Sequence, residues 1–114
     1  MKKGPERIDI IEAIKTLRKK KDVKLFRKIV KEFKSSARAR PEVNLSKIDK
    51  NSKANSTVVV SGKVLGGGVL NHPVNIVALS FSESAERKIK NSGGKCRDFS
   101  WLVEKGAKDV ILLK

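Results

Sequence analysis

Few of the residues that build disulfides, metal centres or aromatic binding surfaces occur in this sequence. Its 114 residues include one cysteine, one histidine, one tryptophan and no tyrosine, and aromatic residues make up 4% of the chain. A single cysteine, Cys96, excludes an internal disulfide, and it forms no recognisable metal-ligand spacing with the only histidine, His72. We expect no metal and no cofactor, and we interpret Cys96 as a small strand residue and His72 as a turn residue.

Long apolar runs and catalytic residue sets are missing as well. No run approaches the roughly 18 to 20 apolar residues of a membrane span, and no leader with an apolar core opens the chain. The sequence offers no general acid and base pair, no activated nucleophile and no metal-bound water. We therefore expect a cytoplasmic protein that is not an enzyme and that has no membrane partner and no small-molecule substrate.

Acidic residues are scarce relative to basic ones. Lys and Arg total 27 against 12 Asp and Glu, which gives a net charge of +15 and a pI near 10.3. Such an excess repels itself and favours a polyanionic partner. Residues 1–40 hold 15 basic and 5 acidic residues, a net of +10, whereas residues 41–114 hold 12 and 7, a net of +5. With so few aromatics for base stacking, we expect nucleic-acid binding through shape and backbone charge.

The first 40 residues have the pattern of two basic helices. Pro5 and Glu6 suit a first helical turn. The apolar stripe predicted for this helix consists of Ile10, Ile11, Ile14 and Leu17. Asp22 then suits the N-cap of a second helix over about residues 23–35, because its carboxylate can accept a backbone hydrogen bond there. The buried stripe predicted for the second helix consists of Phe26, Ile29, Val30 and Phe33.

The opposite face of the second helix carries five cations within about 120° of arc. They are Lys24, Arg27, Lys28, Lys31 and Lys34. A solvated face is the ordinary explanation for such a run. Because cations at helical spacing repel one another and the usual interleaved acids are missing, we favour a surface that faces phosphates.

A basic linker with a short helix is predicted for residues 41–56, and the stretch 35–55 is expected to be ordered only in part when the protein is alone. Arg38 and Arg40, just before it, suit bidentate phosphate contacts. Lys47 and Lys50 lie within it. Asn44 is open to two interpretations, a cap or turn before the short helix and a contact with nucleic acid.

The central stretch reads as two buried strands, at residues 57–60 and 74–81, on either side of three consecutive glycines. The apolar positions of these strands are rich in β-branched residues. Glycine permits positive φ or close approach, so Gly66, Gly67 and Gly68 imply either a bulged turn approached by another segment of the domain or an approach by an RNA backbone. A phosphate-cradling loop of the Gly-Lys-Ser/Thr kind is disfavoured by the spacing.

The last third predicts alternating helices and strands. A helix from Ser82 or Ser84 to about residue 91 has acids in its first turn and cations in its last, which the helix dipole explains. On that ground Arg87, Lys88 and Lys90 are discounted as RNA ligands. A short strand at 95–97, a helix capped by Asp98 and a buried strand at 109–113 are expected to follow. Trp101 in that helix is open to two interpretations, stacking on a base and a core or half-buried role, and its neighbours Leu102 and Val103 favour the second.

Four segments in order carry a family resemblance. They are KVLGGGVL at residues 63–70, the strand at 74–81, SESAERKI at 82–89 and, upstream, VNLSKI at 43–48. Together they resemble the shared core of two ribosomal protein groups, the bacterial large-subunit protein fifteen and the archaeal and eukaryotic large-subunit protein eighteen-e, and VNLSKI resembles the second group in particular. The resemblance covers residues 42–114 well and the first 40 only as a similar pair of basic helices.

This resemblance implies an α+β fold, with an N-terminal basic helical pair followed by an irregular strand-strand-helix superhelical core. We divide the chain into a basic helical region at 1–40, the linker at 41–56 and a globular α/β core at 57–114 on which the helices pack. The implied function is that of a structural constituent of the large ribosomal subunit, with large-subunit ribosomal RNA and neighbouring ribosomal proteins as partners. The absence of long tails favours an archaeal source.

The RNA-binding residues predicted on these grounds are Lys24, Arg27, Lys28, Lys31, Lys34, Arg38, Arg40, Asn44, Lys47, Lys50, Lys63, Gly66 and Gly67. Of these, Lys63 lies within the matched KVLGGGVL segment. Two other functions remain to be weighed. One is a free RNA- or DNA-binding module, such as a chaperone or a chromatin protein, which would bind many nucleic acids with similar affinity. The other is a phosphate-ester enzyme using Gly66–Gly68, which lacks an acid, a base and a metal site.

Overall fold

The computed structural model describes residues 7–20, 23–35, 42–106 and 109–113. Within those residues the chain forms five helices, α1 (Arg7–Arg18), α2 (Lys24–Ser35), α3 (Leu45–Lys50), α4 (Glu83–Asn91) and α5 (Phe99–Lys105). It also forms seven strands there, β1 (Glu42–Asn44), β2 (Ser56–Val60), β3 (Lys63–Leu65), β4 (Val74–Val77), β5 (Ser80–Phe81), β6 (Lys95–Arg97) and β7 (Val110–Leu113). The expected α+β fold with an N-terminal helical pair is confirmed.

The strands form two sheets in which every pairing is parallel. The three-stranded sheet has the order β1-β3-β5 and the four-stranded sheet the order β6-β4-β2-β7. From β1 to β5 the chain therefore alternates between the sheets. The single strand predicted at 74–81 is wrong, because β4 ends at Val77 and β5 pairs with β3 in the other sheet. The apolar run at residues 76–79 continues past the end of β4, so periodicity gives no sign of the point where the backbone changes partners.

The four-stranded sheet is covered on both faces, as parallel sheets usually are. Val58 and Val60 in β2 and Ile76 in β4 contribute to one apolar cluster, with α3, α4 and the three-stranded sheet. Val59 and Val77, the alternate residues of the same strands, contribute to a second cluster with α1, α2 and α5. Because side chains alternate along a strand, the two clusters lie on opposite faces of this sheet.

The helical pair packs through the stripe predicted for α2 but not through all of the stripe predicted for α1. Phe26, Ile29, Val30 and Phe33 are all buried. In α1, by contrast, Ile11 is 44% exposed, and the buried residues are Leu17 and Ala13. Since α1 packs against both α2 and α5, the inward arc passes through the small side chain of Ala13 and leaves Ile11 outside. The side chain of Ile10 lies outside the described residues.

Part of the predicted linker belongs to the core. Val43 in β1 and Leu45 and Ile48 in α3 are at most 1% exposed. They belong to the cluster shared with the three-stranded sheet. These three apolar residues are spaced among charged and polar ones, so the local composition does not predict that they are buried. The short helix expected in this stretch is present as α3.

The expected ends of the later elements are largely confirmed. Ser82 accepts a hydrogen bond from the Ala85 N–H at 3.1 Å, and Asp98 accepts one from the Trp101 N–H at 2.9 Å, so both cap their helices. Cys96 lies in β6, as predicted, and it is half-buried there. The strand predicted at 109–113 is formed as β7, but it lies at a sheet edge and is only partly buried.

Candidate nucleic-acid interface

The basic face predicted on α2 is formed. Its five cations, Lys24, Arg27, Lys28, Lys31 and Lys34, are all exposed. The opposite side of α2 is held by the second cluster, in which Phe33 meets Phe99 edge to face with ring centroids 5.4 Å apart. Packing therefore sets the rotation of the helix, and that rotation directs all five cations to solvent. No acidic residue lies in the first turn of α2 to offset them.

The other predicted cations are distributed over the rest of the surface. Lys47 and Lys50 are exposed on α3, and Lys63 is half-buried on β3. Arg38 and Arg40 lie outside the described residues. Since α3 and β3 belong to the first cluster and α2 to the second, these lysines and the α2 face are carried by elements on opposite faces of the four-stranded sheet.

The side chain of Asn44 does not make the capping hydrogen bond that its position suggests. It occupies the N-cap position of α3 with extended backbone angles, yet its side chain makes no capping hydrogen bond. Its Oδ1 instead accepts a hydrogen bond from the Gly67 N–H at 3.1 Å. The structure thus brings Asn44 together with the glycine loop, defined here as Gly66–Gly68. A contact of Asn44 with RNA stays a prediction.

Intrachain packing accounts for all three glycines of the loop. A Cβ on Gly66 would collide with the Ser84 side chain of α4, and one on Gly67 would lie 2.5 Å from Asn44 Oδ1. Gly68 has φ +86°, and its Cβ would lie 2.5 Å from the Ser46 Cβ. Another segment of the same domain therefore makes the close approach. RNA contacts at Gly66 and Gly67 stay predictions.

Sequence reasoning missed Lys88 as a partner of this loop. Its ammonium Nζ donates hydrogen bonds to the Gly66 carbonyl at 2.7 Å and to the Gly68 carbonyl at 2.9 Å. The helix dipole had seemed a sufficient reason for a cation near the end of α4. The available signal was the i, i+4 spacing of Ser84 and Lys88, which places both on one helix face. That spacing gains meaning only once the loop is known to pack on α4.

A family model whose description groups the ribosomal proteins 50S-L15 and 50S-L18e with a protein of the 60S subunit matches residues 9–97. The chain belongs to this family. The match includes most of α1 and all of α2, the region in which the sequence resemblance was weakest.

Several archaeal relatives are similar over most of the chain. The large ribosomal subunit protein eL18 of Sulfurisphaera tokodaii is 44% identical over 113 residues, which cover 97% of this chain and 95% of that protein. The protein of the same name from Sulfolobus acidocaldarius is 45% identical over 95 residues, 83% of this chain and 80% of that protein. That from Archaeoglobus fulgidus is 36% identical over 107 residues, 94% and 92% respectively. The resemblance to the eighteen-e group is confirmed.

One constellation in this family member has the outline of a hydrolase triad. His72 Nδ1 lies 3.3 Å from Asp49 Oδ1, and His72 Nε2 lies 3.0 Å from Ser52 Oγ. The Ser52 hydroxyl, however, donates to the Ile48 carbonyl at 2.5 Å, so its proton points away from the imidazole. A serine activated by histidine needs that proton on the histidine side. The arrangement therefore ties α3 to the turn before β4, as expected for a turn histidine.

Hydrogen bonds hold the carboxylate of this tie in its charged form. The Asn71 N–H donates to Asp49 Oδ1 at 2.8 Å, and the Asn71 side-chain amide donates to Oδ2 at 3.2 Å. The backbone hydrogen bond, more than the amide or His72, lowers the pKa of Asp49 from its ordinary value of 3.8.

The remaining expectations for the surface concern Trp101, metals and membranes. Trp101 is half-buried, and the Arg97 guanidinium covers its ring at 4.8 Å from the centroid, so the core or half-buried role predicted for it is confirmed. Among the described residues, no group of three or more His, Cys, Asp or Glu side chains is arranged to hold a metal ion. None of the helices in the described ranges has the length and apolar character needed to span a bilayer.

Proposed function

We propose that this protein is a structural constituent of the large ribosomal subunit and that it binds large-subunit ribosomal RNA through phosphate contacts. Its relatives are named as large ribosomal subunit proteins. The observation that carries the RNA-binding part is the α2 face, where five exposed cations stand opposite a buried stripe. The role is architectural rather than enzymatic, and it entails the cytoplasmic location expected from the sequence.

Packing makes the α2 face suitable for phosphates. The helix is anchored by Phe26, Ile29 and Phe33, each at most 2% exposed, so its backbone is already ordered before RNA binds. Only the lysine and arginine side chains then lose freedom on binding, which limits the entropic cost of association. A helix that was merely solvated would gain from acids between its cations, whereas a phosphate backbone supplies the opposite charge from outside.

The other predicted residues extend this proposal. Arg38, Arg40, Lys47, Lys50 and Lys63 are proposed to neutralise further phosphates, and Asn44, Gly66 and Gly67 to meet the RNA backbone at the glycine loop. If about 6 to 10 phosphates are neutralised in all, the affinity for RNA falls about 10³- to 10⁵-fold between roughly 50 and 200 mM salt. Neighbouring ribosomal proteins are the remaining proposed partners.

Sedimentation of native cell lysate through a sucrose gradient, with this protein detected in each fraction, tests the proposal. We expect it in near-stoichiometric amount with the large subunit after a moderate salt wash. A protein that stays at the top of the gradient, or that spreads over all nucleic acid and washes off easily, would overturn the ribosomal role. The second pattern would favour the free RNA- or DNA-binding module.

A further inference from the structure

The glycine loop is held from both edges of one peptide group. The peptide between Gly66 and Gly67 donates its N–H to Asn44 Oδ1 and accepts with its C=O from Lys88 Nζ. In a trans peptide these two groups point in opposite directions, so Asn44 and Lys88 grip the peptide plane from opposite sides. The plane cannot rotate without breaking one of these bonds.

Every carbonyl of the loop is also occupied from within the chain. Gly66 and Gly68 share the Lys88 ammonium, and the Gly67 carbonyl accepts from the Ser46 N–H at 3.0 Å. Two elements distant in sequence, the start of α3 and the last turn of α4, therefore hold three consecutive residues. A loop fixed in this way loses little conformational entropy when a ligand binds to it.

The groups left over on this surface are hydrogen-bond donors. An ammonium has three N–H donors, and the loop carbonyls use two of those of Lys88. Asn44 uses its oxygen on Gly67, and its amide nitrogen has no acceptor among the described residues. The N–H groups of Gly68 and Val69 likewise have no acceptor there. The residues that carry these donors are all exposed.

The charge on this surface is not neutralised within the described part of the chain. Lys88 is exposed and makes no ion pair with any described residue, because both of its hydrogen bonds go to neutral carbonyls. Positive charge and unpaired donors on exposed residues together suit an anion with several acceptor oxygens.

We propose that the clamped glycine loop binds a backbone phosphate of RNA, with Lys88 both holding the loop and contacting the phosphate. This inference rests on the proposed function and adds Lys88, together with the donors of Asn44, Gly68 and Val69, to its binding surface. The phosphate belongs to an RNA backbone rather than to a small molecule, because the site is an exposed loop surface on a strongly basic chain. A free phosphate is the alternative source that the experiment must separate.

The test compares Lys88→Gln with Lys90→Gln on transcribed large-subunit ribosomal RNA of Sulfurisphaera tokodaii. Both residues are exposed on α4 and both changes remove one charge, but only Lys88 touches the loop. We expect Lys88→Gln to weaken binding about 5- to 10-fold and to lower the salt slope of log affinity by about one. Lys90→Gln is expected to change the affinity less than about 2-fold and to leave the slope unchanged.

Two further variants separate the proposed contact with phosphate from the hydrogen bonds that hold the loop. Lys88→Arg keeps the charge and the donors, so it should recover at least half of the lost affinity. Asn44→Ala removes the side-chain acceptor of the Gly67 N–H without altering charge, and we expect weaker binding with an unchanged salt slope. Hydrogen exchange at the Gly67 amide should accelerate in Asn44→Ala and Lys88→Gln, because each loses one grip on the same peptide.

The outcomes keep this inference distinct from the proposed function. Equal affinities for Lys88→Gln and Lys90→Gln, while Lys28→Glu/Lys31→Glu on α2 weakens binding, would overturn the loop site and leave the proposed function intact. If the α2 variant also binds normally, the RNA-binding proposal itself fails. If the unmutated protein binds inorganic phosphate at low millimolar concentration and Lys88→Gln does not, while both bind the RNA equally, the site is one for free phosphate and the RNA assignment is wrong.

Discussion

The α2 face and the glycine loop are both candidate RNA-contacting surfaces, but they are built differently. The α2 face lies on a single helix of 12 residues, so the helical spacing that buries Phe33 also exposes Lys31 and Lys34. The glycine loop follows β3 and is held in place by the start of α3 and the last turn of α4. The first surface can be altered by charge alone, whereas the second depends on distant segments meeting correctly.

The largest effect should come from the buried side of α2. Phe33 is 2% exposed and packs edge to face on Phe99. We expect Phe33→Ala to lower the free energy of unfolding by about 3 to 5 kcal/mol, through lost burial and the cavity that remains. Urea unfolding measures this loss. Lys34→Ala, its exposed neighbour, should stay within about 0.5 kcal/mol of the original protein. A small effect of Phe33→Ala would show that the α2 face does not depend on this anchor.

Charge reversal on the exposed side should separate binding from stability. Lys28→Glu/Lys31→Glu is expected to weaken binding to the same ribosomal RNA by about 100-fold near 100 mM salt, because two phosphate contacts become repulsive. The matched control is Lys90→Glu/Lys95→Glu, which changes the net charge equally at two exposed positions away from α2. Filter binding at several salt concentrations compares them. Equal losses in the two variants would mean that overall charge, and not the α2 face, drives binding.

Adding a single methyl group at Gly66 of the glycine loop should destabilise the protein. A Cβ on Gly66 would collide with the Ser84 side chain and would lie 3.0 Å from the Ala85 backbone nitrogen. We expect Gly66→Ala to lower the free energy of unfolding by about 1 to 3 kcal/mol. Ser84→Ala removes the nearest atom, so the double variant should recover part of that loss in a double-mutant cycle. Strictly additive effects would contradict the contact between the loop and α4.

The smallest effect should come from the tie between α3 and the turn before β4. The folded-state pKa of Asp49 is lowered, so its contribution to stability is present above the ordinary value of 3.8 and is lost as pH falls through the lowered pKa. Asp49→Asn should therefore lower the thermal unfolding midpoint slightly near pH 7, and the difference should disappear in acid. A difference between the proteins that grows as the pH falls would contradict this assignment.

The sequence could predict those features that depend on neighbours along the chain. The buried stripe of α2 follows from helical spacing, and the caps at Ser82 and Asp98 follow from the need to satisfy free N–H groups. The presence of strands around the glycines follows from β-branched composition. Each of these signals is complete within one or two turns of helix or one strand.

Features that depend on which segments meet were missed for a common reason. Val43 and Leu45 carry no local sign that they lie in the core, since what buries them is the cluster they form with residues distant in the chain, such as Val64 of β3. The break between β4 and β5 is invisible because the apolar run at residues 76–79 continues past the end of β4. Lys88 had a sufficient local explanation in the helix dipole, which hid its contact with a loop 20 residues earlier.

By itself, the sequence determined that this protein is strongly basic, that α2 has a buried stripe opposite a continuous cationic face, and that close approach or unusual backbone geometry is needed at the three glycines. Periodicity, charge and glycine chemistry act locally, so they can be read from the sequence. Tertiary structure alone decided that the strands pair in parallel in two sheets, and that Asn44 and Lys88 hold the glycine loop from opposite sides. Those outcomes depend on contacts between residues far apart in the chain, whose partners no local pattern specifies.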